Sequence, residues 1–269
     1  MVILVTGASS GIGYSAALSL ARRGHTVYGA ARRLERMSPL AEEGVIPVRL
    51  DVTDSQACRE LVERIALEQG RLDALVNNAG YGYFGAIETV SDEQARRQIE
   101  VNLFAMASLT RLVLPLMRTQ GRGRIVNISS VAGKVVLPFG GWYHVSKFAV
   151  EAFSDALRME VRPFGIRVSL IEPGGIKTDW GGIAADNLES STRGTVYEKA
   201  AAKEAALLRY GYSGNFLSRP GYIARSVVRA VESRRPRLRY RNGRGASLLV
   251  FFHSILPARW WDALMRLFI

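Results

Sequence analysis

The sequence predicts an α/β fold, a doubly wound parallel sheet of about seven strands with helices on both faces. Three observations predict it. A β-branched apolar run, residues 2–5, opens directly into a glycine-rich turn and then an apolar-periodic helix. Short apolar runs then alternate with helix-periodic stretches along the chain. Asparagine, serine or proline–glycine follows several of those runs, at the strand ends where such a sheet gathers its ligands.

The 269 residues suit one domain, 1–269, and no repeat, low-complexity tract or linker divides them. Hydrophobic residues make up 48% and charged residues 22%, a globular balance. Cys58 is the only cysteine, so no internal disulfide or cysteine-based metal site is expected, and a reducing cytoplasm fits. The three histidines are scattered, and no metal is expected. The net charge of +12 favours anionic partners: a phosphorylated cofactor, a lipid surface or nucleic acid. No helix-turn-helix or aromatic RNA-binding motif accompanies the charge, so no specific nucleic acid is expected. The apolar start is too short for a signal peptide and reads as a buried strand.

The first strand leads into Thr6-Gly7-Ala8-Ser9-Ser10-Gly11-Ile12-Gly13. Glycines let backbone approach a pyrophosphate, and the following helix start adds N–H donors. Gly7, Ser9, Ser10, Gly11, Ile12 and Gly13 are therefore candidate phosphate contacts. The second strand, 26–31, ends in Ala31-Arg32-Arg33. A neutral residue followed by arginines suits the ribose 2′-phosphate of NADP(H), with Arg32 the favoured contact and Arg33 its neighbour. The third, 45–50, ends in Asp51-Val52, where Asp51 suits either the adenine amino group or the cap of a helix beginning near Ser55. The fourth, 72–76, ends in Asn77-Asn78-Ala79-Gly80; small residues let a flat cofactor pass close to Asn78, Ala79 and Gly80.

Residues 93–117 read as a helix carrying Asn102. The fifth strand, 124–128, leads to Ser129-Ser130 and then an apolar, glycine-rich wall, 131–142. Phe139 and Trp142 in that wall suit substrate contact or core packing. Tyr143 and Lys147 follow one helical turn apart, on one face. A phenol is a poor acid at neutral pH, and a nearby ammonium favours its phenolate, so the pair suits proton transfer. The sixth strand, 167–171, leads to Pro173, Gly174, Ile176 and Thr178. Residues 181–215 are small, polar and charged, and read as flexible. A helix over 222–232 precedes 234–241, where arginine alternates with apolar residues as in an exposed strand with one solvated face. The tail, 246–269, is apolar, with Arg259, Trp260, Trp261 and Arg266. Its charge-free run, 246–256, is short of the ~20 residues that cross a bilayer. It suits peripheral membrane contact, packing on the substrate pocket, or packing on a neighbouring subunit.

Thr6-Gly7…Gly11-Ile12-Gly13, Asn77-Asn78-Ala79-Gly80 and Tyr143…Lys147, in this order, resemble the short-chain dehydrogenase/reductase family in its single-domain, Rossmann-type form. The likeness covers residues 1–180 closely and the rest loosely. It implies an NADP(H)-dependent enzyme interconverting an alcohol and a ketone or aldehyde. On that resemblance Tyr143 is the general acid/base, and Ser130, thirteen residues before it, orients the substrate oxygen. Ser129 is left as a turn residue. Lys147 lowers the Tyr143 pKa and binds the nicotinamide ribose, while Asn102 kinks its helix and holds a water in the proton relay. Pro173, Gly174, Ile176 and Thr178 hold the nicotinamide carboxamide, and 181–215 forms a substrate lid. The long helices bearing Asn102 and Tyr143 imply a homodimer or homotetramer. The apolar wall and aromatic tail point to a small apolar alcohol or carbonyl substrate, steroid-, retinoid- or lipid-like. The alternative is a non-catalytic NADP-binding sensor of the same fold, which has no need of the proton donor.

Overall fold

The computed structural model describes residues 1–178, 180–213 and 217–266. Seven parallel strands form one sheet in the order β3-β2-β1-β4-β5-β6-β7. They are β1 (Val2–Thr6), β2 (Thr26–Ala31), β3 (Val45–Arg49), β4 (Ala74–Asn77), β5 (Gly123–Ile128), β6 (Ile166–Pro173) and β7 (Arg239–Asn242). Parallel neighbours need crossover connections, and those crossovers cover both faces with helices. The strand residues are accordingly β-branched or aliphatic and buried on both sides, as in β1 and β4.

One face carries α1 (Gly11–Ala21), α2 (Ser38–Glu42) and α9 (Pro220–Glu232), which close over Ile3, Val5, Val27, Val126 and Ile171. The other carries α3 (Ser55–Gln69), α5 (Met106–Thr119) and α6 (Gly141–Val161), packed on Leu4, Tyr28, Leu75 and Ile125. Cys58 is buried there as a packing residue. The α3 helix starts at Ser55 as expected, but Asp54 caps it, accepting from the Gln56 and Ala57 N–H groups at 3.0 Å each. Asp51 is thereby released from a capping role.

A helix, α4 (Asp92–Ile99), runs through a π-type turn, Glu100–Ala105, into α5. The stretch Asp92–Thr119 is long and apolar enough to cross a membrane by length and composition. Leu109, Val113 and Met117 are buried against the sheet, so α5 is a core helix of this fold.

Two segments differ from expectation. The 181–215 stretch folds as a helical hairpin, α7 (Trp180–Thr192) against α8 (Glu198–Ser213), rather than as a flexible loop. Ala184, Ala185, Leu188, Ala201 and Ala205 are fully buried between them, and small side chains let the two backbones approach. Within 234–241 the strand β7 begins only at Arg239. Its alternate arginines are half-buried and turn toward acids rather than standing on a fully solvated face. Arg239 reaches Glu151 at 3.1 Å and Asp155 at 2.6 Å, and Arg241 reaches Glu172 at 2.8 Å. Glu151 and Glu172 are buried acids that need those partners. The tail forms α10 (Ala246–Ile255) and α11 (Ala258–Met265). Residues 214–215 of the expected lid and 267–269 of the expected tail lie outside the described residues.

Candidate active site

Strand order reverses between β1 and β4, so their carboxyl ends diverge and leave a crevice. The glycine turn after β1 lines it. Gly7 and Gly11 hold φ of 66° and 59°, which an L side chain rarely adopts. A methyl on Gly13 would lie 2.5 Å from the Gly7 carbonyl oxygen and collide with the Asn78 amide. Asn78 braces this turn from behind, donating to the carbonyls of Thr6 at 2.9 Å and Gly7 at 3.2 Å. The Thr6 hydroxyl accepts from the N–H groups of Asn78 and Ala79. Ser10, at the start of α1, makes no side-chain cap bond, so the first-turn N–H groups keep their donors. Ser9 and Ile12 complete the turn, Ile12 with its side chain on the core.

Across from the turn, the Thr178 methyl carbon would lie 3.5 Å from a Cβ on Gly11. Thr178 follows Pro173, the last residue of β6, and Gly174, whose N–H bonds the Asn242 carbonyl at 2.7 Å. Ile176 is buried in the core. The glycine turn and the Pro-Gly segment therefore face each other across the crevice. Gly80 enters from β4: a Cβ there would lie 3.0 Å from Asn102 Oδ1 and 3.9 Å from Lys147 Nζ.

Arg32 and Arg33 are exposed at the end of β2. Burial would raise the Asp51 pKa, but hydrogen bonds from Thr53 and the charges of Arg32 and Arg97 hold it below the usual value. Val52 beside it packs on the core. Burial raises the Tyr81 phenol, opposed by Arg97 and Arg32, and its hydroxyl has no protein partner. Arg97, from α4, was not singled out by sequence reasoning; it stands far from the strand-end motifs in the chain.

The catalytic candidates meet at the ends of β4 and β5. Asn102 sits in the π-type turn, buried, with Oδ1 accepting from the Tyr81 N–H at 3.0 Å. Its Nδ2 donates to the Tyr81 carbonyl at 2.8 Å and to Ser146 Oγ at 3.0 Å. Widened helical turns mark functional positions, and this one aims Asn102 at Gly80 and the α6 helix. Ser130 Oγ accepts from the Ala132 N–H at 3.1 Å and donates to the Pro173 carbonyl at 3.4 Å, and its hydroxyl acts to lower the Tyr143 pKa. The buried Ser129 hydroxyl has no partner. Lys147 is buried and donates to the Ile128 carbonyl at 2.9 Å. Its ammonium stands 5.9 Å from the centre of the Tyr143 ring.

Both titrating groups are shifted by burial. It pushes the Tyr143 phenol up to about 12, with the Ser130 hydrogen bond opposing. It pushes Lys147 down to about 8, with the Glu151 charge opposing. Instead of the lowering of the Tyr143 pKa expected from Lys147, desolvation of the phenolate dominates, and the lowering comes from Ser130. What remains is a neutral phenol with a hydrogen-bonding hydroxyl and an ammonium close by.

An aromatic box covers that phenol. Phe84, Tyr143, Trp180 and Tyr212 stack with ring centres 5.3–5.9 Å apart. Phe139, at φ 59°, packs against the same cluster, and its carbonyl accepts from the Gly85 N–H at 2.8 Å. The Trp142 indole nitrogen is buried without a partner. Phe84, Trp180 and Tyr212 were missed by sequence reasoning because they come from three separated segments with no shared motif.

The residues present fit a nicotinamide dinucleotide. A Cβ at Gly7 or Gly13 would crowd the cradle, the helix start offers N–H donors, and Arg32 and Arg97 place positive charge at the far end.

Comparison with known proteins agrees. Residues 1–187 match the family model for short chain dehydrogenase. The chain is 38% identical over 266 residues to the probable short-chain type dehydrogenase/reductase VdlC of Helicobacter pylori, covering 98% of this chain and 96% of that one. It is 45% identical over 180 residues to a 3-ketodihydrosphingosine reductase of Bacteroides thetaiotaomicron, covering 66% and 64%. It is 34% identical over 285 residues to retinol dehydrogenase 5 of Homo sapiens, covering 98% and 87%. A short-chain dehydrogenase from Streptomyces avermitilis superposes with a TM-score of 0.81 at 33% identity, over 98% of this chain and 97% of that one. An alcohol dehydrogenase from the archaeon Thermococcus sibiricus, complexed with 5-hydroxy-NADP, superposes at 0.70 with 25% identity, over 90% and 95%. The chain belongs to the short-chain dehydrogenase/reductase family of nicotinamide-dependent oxidoreductases.

Proposed function

We propose that this protein is an NADP(H)-dependent oxidoreductase that interconverts an alcohol and a ketone or aldehyde on an apolar, steroid-, retinoid- or lipid-like substrate. The observation that carries the reading is the Ser130–Tyr143–Lys147 cluster beneath the aromatic box. When bound, the nicotinamide supplies or accepts the hydride. In reduction, Tyr143 gives its proton to the oxygen that gathers charge, and Ser130 donates a hydrogen bond to the same atom. Both act on charge that develops in the transition state, where preorganised donors matter most. Lys147 stabilises the phenolate left behind and holds the ribose side of the cofactor, and Asn102 orders the path that returns the proton.

The absence of a carboxylate at Ala31 and the positive charge that Arg32 and Arg97 exert on Asp51 and Tyr81 support NADP over NAD. The aromatic lining supports an apolar substrate. The names of two relatives, 3-ketodihydrosphingosine reductase and retinol dehydrogenase 5, point the same way. Exposed Phe104, Val145 and Phe148 on the π-type turn and α6 support a homodimer or homotetramer. A single, buried cysteine supports a reducing cytoplasm, and the C-terminal helices extend the reading to a peripheral membrane contact.

Oxidation of NADPH and NADH, followed with steroid, retinoid, short-ketone and long-chain aldehyde substrates, tests this. Turnover with apolar carbonyls and a preference for NADPH is expected. NADH serving as well or better contradicts the role of Arg32; tight NADPH binding with no turnover on any substrate contradicts the enzyme.

A further inference from the structure

The tail turns its apolar side outward. On α10, Leu248, Phe251, Phe252 and Ile255 fall at i, i+3, i+4 and i+7, one helical stripe, and all four are exposed. On α11, Trp260 and Leu264 fall at i and i+4 and are exposed too, Trp260 at 69%. A surface helix of a self-contained protein would place polar residues at these positions. The opposite side is anchored. Trp261 is buried, its indole donates to the Val136 carbonyl at 3.4 Å, and its ring meets His253 edge-on at 4.8 Å. Val136 and Leu137, in the wall leading to Tyr143, are themselves exposed. The outward stripes therefore lie beside the wall that leads to Tyr143.

We infer that α10 and α11 form a docking face for an anionic lipid bilayer, through which the active site takes its substrate from the membrane. This rests on the proposed apolar substrate. Neither helix can span a bilayer: α10 has 10 residues and α11 has 8, against ~20 for a crossing. Each is suited to lie in the interface, with Phe, Leu and Ile among the acyl chains and Trp260 at headgroup level. Arg259 on α11 and Arg266 at its C-terminal cap are exposed, with one exposed acid, Asp262, between them. Charge selects the occupant. A chain of net charge +12 is drawn to an anionic leaflet.

The test is co-sedimentation of the full chain with phosphatidylcholine vesicles containing phosphatidylglycerol, without cofactor or substrate. Wild type is expected in the vesicle fraction, more weakly at high salt. The triple variant Phe251→Ser, Ile255→Ser, Trp260→Ser should partition at least about tenfold less. The variant should keep wild-type NADPH oxidation with a small water-soluble ketone, showing that it folds, while KM rises for a long-chain ketone presented in the vesicles. Equal partition of variant and wild type overturns the inference. So does a wild type that ignores vesicles but loses a subunit contact in the variant by light scattering, since a second copy then covers the face. Turnover without vesicle binding sinks the docking face and leaves the proposed activity standing; vesicle binding without turnover does the reverse.

Discussion

At the residue scale, Tyr143 rests neutral and Lys147 mostly charged at pH 7, with pKa values of about 12 and about 8. A neutral phenol is a ready donor. The ammonium holds the phenolate only while it is itself protonated. The dependence has a direction: as pH rises through about 8, Lys147 loses its charge, and kcat/KM for carbonyl reduction should fall. Glu151 opposes that loss. It lies one turn beyond Lys147, buried, with Oε2 2.9 Å from Lys134 and 3.1 Å from Arg239. Glu151→Gln removes a negative charge that favours the ammonium, so Lys147 titrates lower and the alkaline limb moves to lower pH. Glu151→Asp should restore part of the shift. A limb that stays in place in Glu151→Gln would remove Glu151 from the account.

At the scale of elements, the glycine turn is defined by what cannot be added to it. Gly13→Ala drives a methyl into the Gly7 carbonyl and the Asn78 amide. Such overpacking costs about 1–3 kcal/mol. Calorimetric titration should show NADPH affinity reduced at least about tenfold, together with a lower melting temperature. The hairpin of α7 and α8 makes a similar prediction for substrate. A Cβ at Gly181 would overlap the Tyr212 ring, which stacks on Trp180 at 5.4 Å. Gly181→Ala should raise KM for bulky apolar substrates severalfold and leave the NADPH dissociation constant unchanged; equal effects on both would mean the hairpin does more than line the pocket. The strand-end motifs were legible because each is a local run whose chemistry follows from its position on a parallel sheet. The hairpin was not. Its helicity comes from Ala184, Ala185, Ala201 and Ala205 packing across two helices, a pairing that no single stretch displays. Arg239 and Arg241 misled for the same reason: alternation reads as a solvated edge, and only the fold brings Glu151 and Glu172 beneath them.

At the scale of the whole molecule, one sheet brings together residues from position 7 to position 178. A parallel sheet with helices on both faces followed from the alternating pattern, whereas the aromatic box of Phe84, Trp180 and Tyr212 needed three segments to meet. Charge is distributed likewise: Arg32 ends a strand, and Arg97 arrives from a distant helix to act on the same groups, Asp51 and Tyr81. Arg32→Asp should raise KM for NADPH at least about tenfold and leave NADH nearly unaffected. The most direct measurement of the central claim follows the two halves of the reaction at once. NADPH carrying deuterium at the transferable nicotinamide position is incubated with an apolar ketone, and the alcohol is analysed by mass spectrometry for wild type and Tyr143→Phe. The account predicts deuterium on the carbinol carbon with wild type. It predicts a rate about 10²–10⁴-fold lower with Tyr143→Phe, at unchanged NADPH affinity. Alcohol without deuterium, or a Tyr143→Phe variant at the wild-type rate, would contradict it.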